Sequence, residues 1–457
     1  MYMLRTKIRK LGGLICFLFA VLAVQAQQYM VTGGQGTPLM AKDETSEKLE
    51  VYLLYGMGNA AISYTSSSTN HKWYRYKSRA LEAEPVPCEQ NGNTSTIRNV
   101  EEEYGYFVQE SDIMTRYVWI IDYSKYVFEV QNITVEGTCD NFRLKGSPEP
   151  VQMHYNLPAS GRSVELKRQF EISFQTLSWS DENKSFSPTP VTVTMEGNPY
   201  SGSIKDKDDK KNAMPPLCDT EVTLKGDQFA RHFGIEKSMT SDTYQAVAVK
   251  LHVDTTLVMD NAPNMTLGEG EALCAPAEIS FRAYANEPVA SLFTWKIYRS
   301  DVENGADNPL ELFRESETEH TFTEFGEYIA EVTVSDRTGE CVAVSDPITI
   351  KITESFLDVP NAFSPGTTPG INDEFRVAYK SLLNYKCWIF NRWGIEMYRS
   401  TNPAEGWDGK KGGKYVAPGV YFYVIEATGT AGEKIHRKGS INILRPKKIN
   451  DEIIEQQ

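Results

Sequence analysis

Apolar and polar residues alternate along most of this chain. LEVYL at 49–53 sets the pattern, and residues 73–76, 117–123 and 191–194 repeat it, as do 245–253, 329–334 and 420–427. A period of two places successive side chains on opposite faces of a strand, and the β-branched and aromatic content of these runs favours the same state. Helical spacing shows at one place. Phe229 and Phe233 stand at i and i+4 between Asp227, a helix-capping residue, and Gly234, a terminating one, which predicts about two helical turns. Many short strands punctuated by Gly, Pro, Asn and Asp predict an all-β protein, a series of β-sandwiches.

The first residues read as an address rather than a fold. Arg5, Lys7, Arg9 and Lys10 precede an apolar run at 11–24, and Val24, Gln25 and Ala26 give a small-x-small cleavage pattern. Residues 1–26 are therefore expected to be a secretory signal peptide with Gln27 as the new N-terminus. The apolar run is too short for a membrane anchor. Cys16 lies inside that run with Ile15 before it, where a lipid-attachment site needs a small residue.

Of 457 residues, 47 are Lys or Arg and 61 Asp or Glu, a net charge of −14, or −18 without the four leader cations. The charge is uneven: residues 27–356 carry a net −21 and residues 357–457 a net +3. So acidic a body repels phosphate backbones, which excludes nucleic acid as a partner. Softer punctuation divides the chain into 27–145, 146–262, 263–354 and 355–445, followed by a polar tail at 446–457. The short likeness between CDNFRLKG at 139–146 and CDTEVTLKG at 218–226 reads as chance rather than repeat.

The chemistry-bearing patterns have plain explanations. Gly56 and Gly58 mimic a dinucleotide loop, but no helical pattern follows to hold a pyrophosphate, so a turn is expected. Asp206, Asp208 and Asp209 lack the glycine and distal glutamate of a calcium loop and read as a solvated charge run. Glu315, Glu317 and Glu319 alternate onto one outer strand face. The alternating set Tyr117, Trp119, Ile121 and Tyr123 reads as half of a sandwich core before it reads as a sugar-stacking surface. The six histidines, His71, His154, His232, His252, His320 and His436, form no metalloprotease pattern, and no nucleophile elbow is present. The sequence thus asks for no cofactor or metal and offers no catalytic motif, although a pair of glycosidase carboxylates cannot be seen in spacing alone. Cys88, Cys139, Cys218, Cys274, Cys341 and Cys387 follow the leader without a CxxC pair. Export permits disulfides among them.

Two regions resemble known families. CAPAEISF at 274–281, Trp295, FGEY at 325–328, VTVSD at 332–336 and Cys341 look like the PKD/Ig-like modules of bacterial surface proteins, although Trp295 continues as KIYR rather than the usual FGDG stretch. The resemblance makes the fold class tandem Ig-like/PKD-like β-sandwiches. It also implies a Cys274–Cys341 disulfide beside a central tryptophan, with Cys88–Cys139 the weaker pairing; Cys218 and Cys387 have no evident partner.

The second resemblance is ordered over six segments: VPNAFSP at 359–365, INDEF at 371–375, IFNRWG at 389–394, GWDG at 406–409, GVYFY at 419–423 and KGS at 438–440. Together they resemble the gliding-motility-associated C-terminal domain, the type B sorting domain of Bacteroidota type IX secretion. This implies passage to the periplasm on the leader, then across the outer membrane on the C-terminal domain. The implied partners are the type IX machinery, an outer-membrane protein and an unknown surface or glycan ligand. Asn391, Arg392, Trp393, Gly394, Trp407, Asp408, Gly409 and Gly419 are the matching positions, either as scaffold or as receptor contacts. Here PGTTPG at 365–370 stands where the family has an acidic loop, and the chain runs about a dozen residues past the domain. The function expected is that of a secreted or surface-displayed adhesin or structural surface protein, not an enzyme. The alternatives are an exported hydrolase or glycan-binding module, and an accessory of the secretion or gliding machinery.

Overall fold

A computed structural model describes residues 28–110, 113–205, 212–258, 272–367 and 370–445. The leader at 1–26, the charge run at 206–209 and the tail at 446–457 lie outside the described residues, as does the expected break near 262. Within them the fold is nearly all strand, interrupted by one short α-helix and two single-turn 3-10 helices.

In the first domain a four-stranded sheet (Gln28–Thr32, Ala61–Thr65, Thr94–Arg98, Glu89–Asn91) faces a six-stranded one (Leu39–Glu44, Leu49–Leu54, Ile113–Asp122, Tyr104–Glu110, Lys72–Tyr76, Glu84–Val86). Ile113–Asp122 sits mid-sheet, parallel to Leu49–Leu54 and antiparallel to Tyr104–Glu110. Its alternation divides it between two cores. Val118 and Ile120 join Tyr29, Tyr64 and Trp73 between the sheets. Trp119 and Ile121, with Tyr123 beyond the strand end, join Leu49, Val51 and Leu53 on the opposite face, against half-buried Tyr117. The expected core face is thus buried, and its cover comes from later in the chain: the hairpin Met153–Asn156/Ser163–Leu166 and helix α1 (Gln228–His232). Each large apolar side chain buried there contributes roughly 1.5–3 kcal/mol. Gly56, at φ +80, turns the chain after Leu49–Leu54, as expected for a turn, and its N–H donates to Asp122 at 2.9 Å.

Helix α1 forms where its caps and spacing predict. The wholly buried Asp227 accepts from the Phe229 and Ala230 amides at 3.0 and 2.9 Å, and Gly234 leaves the helix at φ +71. The same carboxylate accepts from the Tyr123 hydroxyl at 2.7 Å and pairs with buried Arg168. One acid therefore caps the cover and bolts it to the first domain.

The second domain is built on a sheet ordered Ser185–Glu196, Gln169–Ser180, Thr223–Gly226, Lys237–Thr240. The hairpin Asn132–Gly137/Phe142–Ser147 packs on it, with Ile133, Phe142 and Leu144 sharing a core with Phe170, Ile172 and Leu224. The expected boundary at 145/146 is therefore corrected: this hairpin belongs to the second core, while the hairpin at 153–166 covers the first. A lone two-stranded ribbon cannot bury its own apolar face, and linker-like composition at 145–150 does not say which core claims it.

The third domain starts earlier than expected, because Leu251–Leu257 pairs with Ala277–Ala285. Glu317–Phe322 completes that sheet. The facing sheet holds Glu311–Phe313, Leu292–Arg299, Gly326–Ser335 and Val342–Val344, with Ile348–Ile352 also on Gly326–Ser335. Trp295 is fully buried between the sheets, 5.6 Å from the Phe281 ring. Glu315, Glu317 and Glu319 share the exposed outer face.

The expected Cys274–Cys341 disulfide is also corrected. Cys341 follows strand Gly326–Ser335 and bonds Cys139, in the turn of the second domain's hairpin, with a Cα–Cα distance of 5.2 Å. That distance suits a disulfide. Cys274 lies elsewhere, beside the Thr353 hydroxyl at 3.9 Å, on the side of the last domain. Cys88 is likewise outside any disulfide, and burial raises its thiol pKa. The two central domains also meet elsewhere, including a Lys184–Asp254 ion pair at 3.1 Å. Trp179 stacks on His252 at 4.1 Å, and wholly buried Asn286 donates to the Leu217 and Ala248 carbonyls, both at 2.9 Å.

The last domain centres on a five-stranded sheet: Ala362–Phe363, Lys434–Ile443, Gly419–Gly429, Leu382–Phe390, Glu396–Ser400. Its inner face packs under Phe375, Tyr379 and Trp407. Buried Ser381 holds this domain to the third, since its hydroxyl accepts from the Ala275 amide at 3.1 Å and bonds Thr353 Oγ1 at 2.8 Å.

Candidate functional site

The matching positions of the last domain fall into two groups that the sequence leaves alike. Asn391, Gly394, Trp407, Asp408 and Gly409 hold the fold. Asn391 follows strand Leu382–Phe390, and its side-chain oxygen accepts from the Trp393 and Ile395 amides at 3.0 and 2.9 Å. Gly394 completes that turn at φ +78, where a Cβ is strained. Trp407 is 1% exposed among Phe363, Tyr398 and Tyr421, and its indole N–H donates to the Lys410 carbonyl at 2.9 Å. A two-way backbone bridge between Phe375 and Trp407, at 2.8 and 3.0 Å, fixes it over the sheet. Asp408 accepts from the Lys410 amide at 3.0 Å and its ammonium at 2.9 Å. Burial opposes ionisation there, but the Lys410 hydrogen bonds hold the Asp408 carboxyl below its ordinary pKa. Gly409, at φ +74, stands where a Cβ would come within 2.9 Å of Pro365.

Arg392 and Trp393 do none of this. Trp393 is 76% exposed at the tip of the Asn391 turn, with the Arg392 guanidinium 5.3 Å from its ring and Ile395 also exposed. Gly419, at φ +143 with open space around it, starts strand Gly419–Gly429. In the departing loop Asp373, from the matching INDEF segment, accepts from the Gly366 and Gly370 amides at 3.1 and 2.6 Å. The motif reading missed Val420, Phe422 and Val424, which are exposed along Gly419–Gly429. Their signal was the unbroken apolar run VYFYVI, on a strand with one face in the core.

Elsewhere the fold assembles a cluster that spacing hides. The buried His71 ring meets Ser66 Oγ at 2.9 Å and Glu110 at 3.2 Å through Nε2, and Ser95 Oγ at 2.8 Å through Nδ1. A nucleophile triad needs the acid on the ring nitrogen opposite the serine. Ser66 shares Nε2 with Glu110, while Ser95, on the opposite nitrogen, is wholly buried and accepts from the Trp73 indole N–H at 2.7 Å, so the cluster has the geometry of a core network. A cavity of about 680 Å³ between the first two domains is lined by Glu44, Glu165, Glu196 and His232. Tyr155 donates to Glu44 at 2.7 Å, and Lys167 pairs with Glu196 at 3.2 Å.

Residues 357–443 match the CHU_C type IX secretion signal domain. That match decides the class of this region. The signal domain is preceded by a second match, of residues 132–241 to a fibronectin type III domain, which spans the second core and its hairpin. For the third domain the description stays at an Ig-like sandwich. No curated protein matches the chain. Solved structures similar to it include a tetra-tandem repeat from the extending region of a large adhesion protein (12% identity, 86% of this chain and 99% of that one, TM-score 0.20). A Ca²⁺-stabilised adhesin with which an Antarctic bacterium binds ice gives 11% identity, 91% and 100% coverage and a TM-score of 0.18. The BSP domain of a biofilm-associated protein gives 8%, 92% and 96%, and 0.16. Likenesses at these TM-scores carry no weight for fold or role.

Proposed function

We propose that this chain is exported by type IX secretion and acts outside the cell as an adhesin or structural surface protein. The signal domain at 357–443 directs the export. That match is the observation that carries the reading. The body supports the second half: sandwich domains stapled by Cys139–Cys341, a bond suited to an oxidising exterior, and a fibronectin type III match in the second of them. On this reading residues 1–26 supply the first export step and an outer-membrane component receives the signal domain.

The test is localisation of the full-length chain, and of one lacking residues 355–457, in a type IX-competent host and a secretion-deficient mutant. Full-length protein should be open to external protease only in the competent host, and the truncated chain should stay inside in both. Retention of the full-length protein in the competent host would overturn the reading. The carboxylate-lined cavity favours a second one, a glycan-binding or glycan-cleaving body. Calorimetric titration with oligosaccharides should then give heat that Glu44→Gln abolishes.

A further inference from the structure

We propose that the outer face of the five-stranded sheet in the last domain, with the Trp393 turn at its edge, is the surface by which the export machinery holds this chain. The proposal rests on residues 357–443 acting as the signal. Strand Gly419–Gly429 sends Tyr421, Ile425 and Ala427 into the core and Val420, Phe422 and Val424 outward. The outward side chains are well exposed, Phe422 at 47% and Val420 at 44%. Antiparallel register sets Phe422 opposite Phe390 and Val424 opposite Trp388, so these half-buried rings share the outer face. Phe390 leads directly into the turn that presents Trp393. The result is one continuous aromatic and aliphatic stripe, with nothing in the described chain covering it. The core on the inner face does not include these side chains, and exposed apolar patches of this kind mark interaction sites. Tryptophan and arginine are, with tyrosine, the residues enriched where binding energy concentrates.

Charge selects the occupant. Arg399 lies opposite Trp388, and Lys438 opposite Val424, while Arg392 sits against Trp393. Lys386 faces Glu426 across the strands and Glu396 faces Phe390, so cations predominate around the stripe. Residues 27–356 are net −21. An export component with an apolar groove edged by carboxylates attracts this face and repels the body, so the chain docks by this domain in one orientation.

The experiment uses the full-length chain carrying Trp393→Ser and Phe422→Ser in a competent host, beside the wild type and the 355–457 deletion. The proposal expects protease-accessible protein to fall at least tenfold in the double variant, with the purified variant melting as the wild type does. Arg399→Glu with Lys438→Glu should reduce display likewise. Wild-type display of a folded double variant, with the deletion retained, overturns the proposed surface and leaves the signal reading standing. Wild-type display of the deletion overturns both. A wild-type dimer that the double variant dissociates, with display unchanged, assigns the face to a second copy and also overturns the proposal. If the double variant misfolds, Trp393→Ala on the exposed turn decides in its place by the same readout.

Discussion

The six-stranded sheet of the first domain and the five-stranded sheet of the last both carry apolar side chains on two faces. In the first sheet each face has its cover: the partner sheet on one side, the 153–166 hairpin and helix α1 on the other. In the last, Trp407 and its aromatic neighbours cover the inner face while Phe422 and Val420 stand in solvent. Apolar pattern alone is the same in both. What differs is whether the chain brings an element back to close the face: among the described residues it does so for the first of these two sheets and not for the second.

That comparison breaks most visibly at its bolts. Asp227→Ala strips Arg168 of its buried partner and helix α1 of its cap, and should cost about 3–5 kcal/mol in the first unfolding transition on denaturant titration. Trp407→Ala empties the cover of the last sheet and should cost a similar ~3–5 kcal/mol, in the signal domain's own transition. Reducing Cys139–Cys341 opens a loop of 202 residues, and should lower stability by about 2–4 kcal/mol, with faster proteolysis between the second and third domains. Trp393→Ala sharpens the contrast with its buried counterpart: stability within about 0.5 kcal/mol of wild type and export lost. The smallest effect is a pH dependence. The Asp408 carboxyl is lowered in the folded protein, so its stabilisation is complete above the ordinary aspartate range and fades as pH falls through the lowered value. Asp408→Asn should flatten that acid limb in thermal melts of the signal domain.

Strand positions were legible because alternation is local, and helix α1 because Asp227, Phe229, Phe233 and Gly234 are all within one short window. Ownership was not. The hairpins at 132–147 and 153–166 have the same local signature, and burial against Phe170 or Trp119 decides between them only in three dimensions. The disulfide was missed for the same reason: no spacing rule joins turns 202 residues apart. In the signal domain the resemblance named the right region and treated Trp393 and Trp407 as equals. Their opposite roles follow from one being in a five-residue turn and the other bridged to Phe375 over the sheet.

The Cys139–Cys341 bond also sets how the chain bears load. Tension applied between the first domain and the last enters at Cys139 and leaves at Cys341, passing through a covalent link rather than through the strands between them. The 202-residue separation corresponds to about 700 Å of extended chain that pulling cannot release while the bond is intact. Most of the second domain and the sheets of the third are thus mechanically bypassed, and reduction would turn a stiff segment into a long extensible one.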